Sequence, residues 1–92
     1  MLKTGTYLLS NNSFSKLSSH EIITLESNFG VTSTANKFLN SNVARVLLFR
    51  ANQFTASSPS IVAYNVISNI TGNSKGIGIF LEQSPNIVVQ NN

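Results

Sequence analysis

Ninety-two residues leave room for one domain at most, and a chain this short buries only about 60% of the surface that its unfolded form exposes. The composition is 41% hydrophobic but only 10% charged, with 13 Asn and 14 Ser, which disfavours helices because both residue types hydrogen-bond to nearby backbone and prefer turns. The net charge of +3 reflects scarce acid (Glu21, Glu26, Glu82 and no Asp); the scattered basic residues argue against a nucleic-acid footprint, and the lack of cysteine excludes disulfides, thiolate zinc sites and thiol catalysis.

Along the chain, the opening MLKTGTYLLSNNS has no apolar run long enough for a signal peptide or a membrane span, so an exported parent would carry its targeting segment outside this chain. Leu2 and Leu8 then start two recurring apolar rows. Leu2, Leu25 and Leu48 are 23 residues apart, and Leu8, Val31 and Phe54 repeat the interval. Asn12 and Asn36, Phe14 and Phe38, and Asn28 and Asn52 are spaced by 24. The following step is longer: Leu48 to Leu81 and Phe54 to Ile87 are 33 residues, and Asn52 to Asn86 is 34. This predicts an insertion of about ten residues in the third coil, within 57–75, where Ser57 to Ser60 and Ile70 to Ser74 concentrate chain-breaking residues.

Within each repeat, apolar residues alternate with the two-residue period of a strand, as in Ile23 and Leu25, Val46 and Leu48, and Ile77, Ile79 and Leu81. Short strands at a fixed period, separated by Asn, Ser and Gly, describe an all-β solenoid of about three to four coils running through residues 1–92. Leu2, Leu25, Leu48 and Leu81 are expected in one interior row, and Leu8, Val31, Phe54 and Ile87 in another. Asn28, Asn52 and Asn86 stand at one phase of successive coils and are expected to stack as an amide ladder.

Two stretches carry a resemblance. Gly5-Thr6-Tyr7-Leu8-Leu9 resembles the opening segment of pectate-lyase-like proteins, and Gly76 through Asn92 is similar to the parallel β-helix repeat that pectate lyases, polygalacturonases, epimerases and phage tailspikes share. The resemblance implies a right-handed parallel β-helix, here a fragment of a longer protein, and it leaves the chemistry open because this fold hosts many functions.

With Leu25, Leu48 and Leu81 inward, alternation predicts an outer face containing Glu26, Arg45, Phe49, Phe80 and Glu82. Two rings, an Arg and two carboxylates are suited to holding a sugar, the rings against pyranose faces and the charged groups at polar edges. The competing reading is an apolar outer face covered by a neighbouring loop or chain. Glu26 and Glu82 are expected about 9.6 Å apart with Phe49 between them, a poor arrangement for an inverting glycosidase. His20, the single histidine, has no partners for a metal site or a triad and reads as a turn residue. The run Gly72 to Gly78 lacks the order of a phosphate loop, and its glycines read as serving a tight turn and close coil packing.

No catalytic set, cofactor or metal site is therefore assigned, and whether the parent is an enzyme stays open. The leading expectation is a β-helix segment of an extracellular or surface-located, carbohydrate-active or carbohydrate-binding protein, not catalytic on its own, with polysaccharide as a partner. The alternative is a structural shaft of a phage tailspike or surface adhesin. Further coils of a parent chain, or a second copy, are the expected partners; nucleic acid and membrane are not.

Overall fold

The computed structural model describes residues 1–72 and 76–92. The chain forms ten strands: β1 (Leu2–Lys3), β2 (Thr6–Ser10), β3 (Ser13–Ser15), β4 (Ser18–Glu26), β5 (Gly30–Thr34), β6 (Lys37–Arg50), β7 (Ser60–Ala63), β8 (Val66–Thr71), β9 (Ile77–Glu82) and β10 (Ile87–Gln90). All pairings between these strands are parallel. One sheet stacks β2, β5, β7 and β10, and the other is built around β6 with β1, β3, β4, β8 and β9. This is a right-handed parallel β-solenoid of about three turns. No helix among the described residues is long and apolar enough to cross a membrane.

The chain turns at three corners, and each corner is a vertical column of residues with positive φ. Thr4, Ser27, Ala51 and Gln83 form one column, Asn11, Ala35, Tyr64 and Asn91 a second, and Lys16, Asn40 and Asn69 a third. A single left-handed residue redirects the strand onto the next side of the prism. It costs about 1–2 kcal/mol for an ordinary side chain and less for Asn, whose short polar side chain can hydrogen-bond locally. The corners are held along the axis by backbone bonds, with Ser27 N–H donating to Arg50 O (3.2 Å) and Ala51 N–H to Glu82 O (3.0 Å).

At the first two corners the residue after the left-handed one, Gly5 apart, is an Asn or Ser whose side chain bonds along the axis. At the second corner the Asn12 N–H donates to Asn36 Oδ1 (3.0 Å), Asn36 N–H to Asn65 Oδ1 (3.1 Å) and Asn65 N–H to Asn92 Oδ1 (3.0 Å). Each inner amide also donates downward to a strand carbonyl, Asn36 to Leu9 (2.9 Å) and Asn65 to Ser33 (2.9 Å). Asn36 and Asn65 are buried, so these bonds satisfy backbone groups at a bend where no sheet ladder can reach them.

At the first corner Gly5 N–H donates to Asn28 Oδ1, Asn28 N–H to Asn52 Oδ1 (2.9 Å) and Asn52 N–H to Ser84 Oγ (3.3 Å). The rung above Asn52 is thus Ser84, not Asn86. Asn86 lies two residues further on, and its amide instead donates to the Phe54 carbonyl (2.8 Å).

The interior rows correct the expected register. Leu2 pairs with Leu25, Leu25 with Phe49 and Phe49 with Leu81, so Phe49 rather than Leu48 occupies the row. In the other sheet Leu8 pairs with Thr32 and is 70% exposed, while Tyr7 pairs with Val31. Both slips have one cause. Gly5 and Asn28 are 23 residues apart, but Thr6 and Gly30 pair at 24, because Phe29 is an extra residue extruded at the corner and left 53% exposed. Any coil that includes Phe29 is one residue longer than the coil before it.

Phe54 also leaves the predicted row. Asn52 stands over Asn28 at a separation of 24, whereas Asn65 stands over Asn36 at 29, so a loop intervenes before β7. Phe54 folds back from this loop into the core and meets the Phe49 ring edge-on, with centroids 6.3 Å apart and planes at 75°. Asn52 to Ser84 spans 32, which places further residues between Thr71, paired with Asn42, and Ile77, paired with Arg45. The part of this stretch at 73–75 lies outside the described residues.

Gly72 and Gly76 flank that stretch for steric reasons. A Cβ on Gly72 would lie 2.3 Å from the Val43 carbonyl oxygen, and one on Gly76, at φ 65°, 2.3 Å from that of Ile70. The remaining core is an aromatic and aliphatic column. Phe14 stacks on Phe38 with centroids 5.1 Å apart and planes within 3°, and Phe38 pairs in turn with Ile67.

Candidate functional site

The long side of the prism, formed by β4, the second part of β6 and β9, does not alternate strictly. Val46 and Leu47 are consecutive, yet both belong to the buried core cluster, as does Phe49. Leu48 is fully buried but outside that cluster, in register between Thr24 and Phe80. This break turns Arg45 and Phe80 to one outer surface while Phe49, expected beside them, is fully buried against Phe54. Val43, three residues before Val46, is again in the core cluster, so alternation is broken only across Ala44 and Arg45.

Arg45 is the centre of the outer-face cluster. Its guanidinium carbon lies 5.2 Å from the centroid of the Phe80 ring, within cation–π range. Its terminal nitrogen donates to Glu21 Oε1 at 3.3 Å and lies 3.1 Å from His20 Nδ1. Glu21 Oε2 is in turn 2.7 Å from His20 Nδ1. A carboxylate only accepts and a guanidinium only donates, so His20 Nδ1 bonds one of them and not both. The shorter contact is the one to Glu21, made by a side chain that is 70% exposed. Among the described residues, buried Arg45 Nε has no hydrogen-bond partner.

His20, Ala44, Arg45, Ile77 and Phe80 line a cavity of about 320 Å³ at this point. Its chemistry is mixed: an aromatic ring and Ile77 supply apolar surface, while Arg45 and His20 supply polar groups at one side. His20 is therefore a residue of strand β4, not a turn residue, and the sequence pattern also missed Glu21 as the partner of Arg45. The 24-residue spacing of Glu21 from Arg45, shared with the Asn pairs, is the signal that could have joined them.

The two carboxylates singled out by the repeat are elsewhere on this side. Glu26 pairs in register with Arg50, and Arg50 with Glu82, so the residue between the two acids is Arg50 rather than Phe49. Arg50 Nε lies 3.4 Å from Glu82 Oε2 in an ion pair whose members are both about half exposed. Lys3 pairs below Glu26, completing a column Lys3, Glu26, Arg50 and Glu82 of alternating sign. Exposed pairs of this kind contribute roughly 0.2–1 kcal/mol each and act chiefly on register. Glu82 lies two residues beyond Phe80, and Arg50 five beyond Arg45, so the structure divides the predicted site into a charge column and a separate aromatic cluster.

Among the described residues, no three His, Cys, Asp or Glu side chains come together in a way that could hold a metal ion. No protein-family model, curated protein or solved structure matches this chain.

Proposed function

We propose that this chain is a β-solenoid segment of an extracellular or surface protein that binds polysaccharide on its outer face and performs no catalysis by itself. The observation that carries the reading is the cavity of about 320 Å³ in which Arg45, His20 and the Phe80 ring meet. A sugar needs an apolar surface for its ring face and fixed polar groups for its hydroxyls, and concave sites with a few placed polar groups supply both. The positive charge of Arg45 beside the Phe80 ring favours an acidic polysaccharide. Descent from a pectate-lyase-like parent agrees with the Gly-Thr-Tyr opening and the β9 to β10 repeat, and belongs to the same proposal.

Titration with oligogalacturonate and with an uncharged glucose oligomer, followed by amide chemical shifts, tests the reading. The acidic oligomer is expected to move Ala44, Ile77 and Phe80, and Arg45→Ala is expected to weaken it at least about tenfold, the loss of one charge-assisted bond of about 1.5–3 kcal/mol. A glycan array that retains no acidic glycan, or an Arg45→Ala variant that binds as the parent does, overturns it.

A shaft of a tailspike or adhesin is the second reading, favoured by the unbroken Asn12, Asn36, Asn65 and Asn92 column. Interior amide ladders at successive coils add axial rigidity and contribute nothing to a ligand site. Retention of stability without any glycan affinity is the result expected of a shaft.

A further inference from the structure

The charges around the cavity balance as long as His20 is neutral. Arg45 carries one positive charge there, and Glu21, 3.3 Å from it, carries one negative charge. His20 Nδ1 stands 2.7 Å from Glu21 Oε2 and 3.1 Å from the terminal nitrogen of Arg45, so its charge state decides the balance. We propose that His20 sets the ionic preference of this site, which takes up an anionic glycan when the imidazole is protonated and releases it when the proton leaves. This condition on binding rests on the glycan-binding reading above.

Through Nδ1 a neutral ring bonds either neighbour: as an acceptor it takes Arg45, and as a donor it gives to Glu21. A protonated ring has no such choice, because both of its nitrogens donate. Its Nδ1–H then goes to Glu21, the shorter contact already in place, and its positive charge is held 3.1 Å from an Arg45 nitrogen. Two changes follow in the same direction. Glu21 is neutralised by His20, which frees Arg45 from a contact of 3.3 Å, long for a charge-assisted bond. The cluster as a whole passes from zero to one positive charge beside Phe80 and Ile77, the apolar lining of the cavity.

Among the described residues, the other charged groups on the surrounding elements stand further off. Glu26 of β4, Lys3 of β1, Arg50 of β6 and Glu82 of β9 form the charge column, at a level six residues along β4 from His20. Lys37 opens β6, eight residues before Arg45, and Lys16 lies at the third corner. His20 is the single histidine, and histidine is the side chain whose charge ordinarily changes between about pH 5 and 8. An α-amino group also changes charge there, but Met1 precedes β1, which pairs with the far end of β4.

Oligogalacturonate binding, followed by the amide shifts of Ala44 and Phe80, is measured at about pH 5 and about pH 8 at one ionic strength of about 0.1 M. The carboxylates of the oligomer are ionised at both values. Affinity is expected to be about fivefold higher at the lower pH, the weight of one unit charge at roughly 4 Å in water. His20→Gln, which cannot take up the proton, is expected to bring this ratio to about one. Parent and variant share the same two buffers, so a general effect of acid on the fold cancels in the comparison. Binding and protonation are coupled reciprocally, so saturating oligogalacturonate is expected to move the titration of the His20 ring protons to higher pH, and a glucose oligomer to leave it in place. Equal affinity at both values, tighter binding at the higher pH, or an unchanged ratio in His20→Gln overturns the role of His20 and leaves the glycan-binding reading standing. Absence of oligogalacturonate binding at either value overturns both.

Discussion

Phe49→Ala is the sharpest test of which residues face inward. Phe49 is fully buried, stands in register between Leu25 and Leu81, and meets the Phe54 ring edge-on at 6.3 Å. Truncating a buried Phe costs about 3–5 kcal/mol, and the edge-on pair contributes roughly 0.5–1.5 kcal/mol beyond buried area, which places this variant in the upper part of the range. At about 0.05–0.15 kcal/mol per residue the whole chain is worth roughly 5–14 kcal/mol, so the variant loses a third or more of its stability. Arg50→Ala is the adjacent control, with a half-exposed side chain in a surface ion pair, and is expected to cost less than about 1 kcal/mol. Urea titration followed by circular dichroism reads both, and a double cycle with Phe54→Ala is expected to show about 1 kcal/mol of coupling. Equal losses for Phe49→Ala and Arg50→Ala would mean that the two faces are reversed. Strict additivity with Phe54→Ala would mean that the loop ring does not close the core.

Asn36→Ala removes the acceptor of Asn12 N–H and the donor to the Leu9 carbonyl, and is expected to cost about 2–5 kcal/mol through buried groups left unsatisfied; amide hydrogen exchange at Asn12 should accelerate with it. Gly76→Ala forces a Cβ to within 2.3 Å of the Ile70 carbonyl at φ 65°, and a drop in urea midpoint equivalent to at least about 2 kcal/mol is expected, since strained backbone and overpacking act together. Ala51→Gly should act in the opposite direction. It relieves a left-handed residue at φ 51° worth about 1–2 kcal/mol and gives back about 0.4–1 kcal/mol in unfolded-chain entropy, so a small net gain in thermal midpoint is expected.

The repeat itself was legible in the residues. A period in the low twenties, short alternating runs and a surplus of Asn lead to parallel strands stacked as a solenoid, because each coil can bury its apolar row only against the same row of its neighbours. The stacking of Phe14 on Phe38 and of Asn12 under Asn36 follows from their 24-residue spacing alone. The spacing of 23 shared by the leucines conflicted with it, and that conflict was the trace of Phe29 as an extra corner residue.

What the tertiary structure decided was phase. Strand side chains alternate with a period of two, so one extruded residue exchanges inside for outside; Leu48 and Leu8 left the rows predicted for them, and Phe49 moved from the presumed sugar face into the core. The second decision was the adjacency of Val46 and Leu47 in the core, which no alternating pattern encodes and which turns Arg45 outward to Glu21, His20 and Phe80. The cluster exists because residues from three successive coils are brought to one height by backbone pairing between coils, whereas sequence periodicity records only the average length of a coil and not where each coil gains or loses a residue.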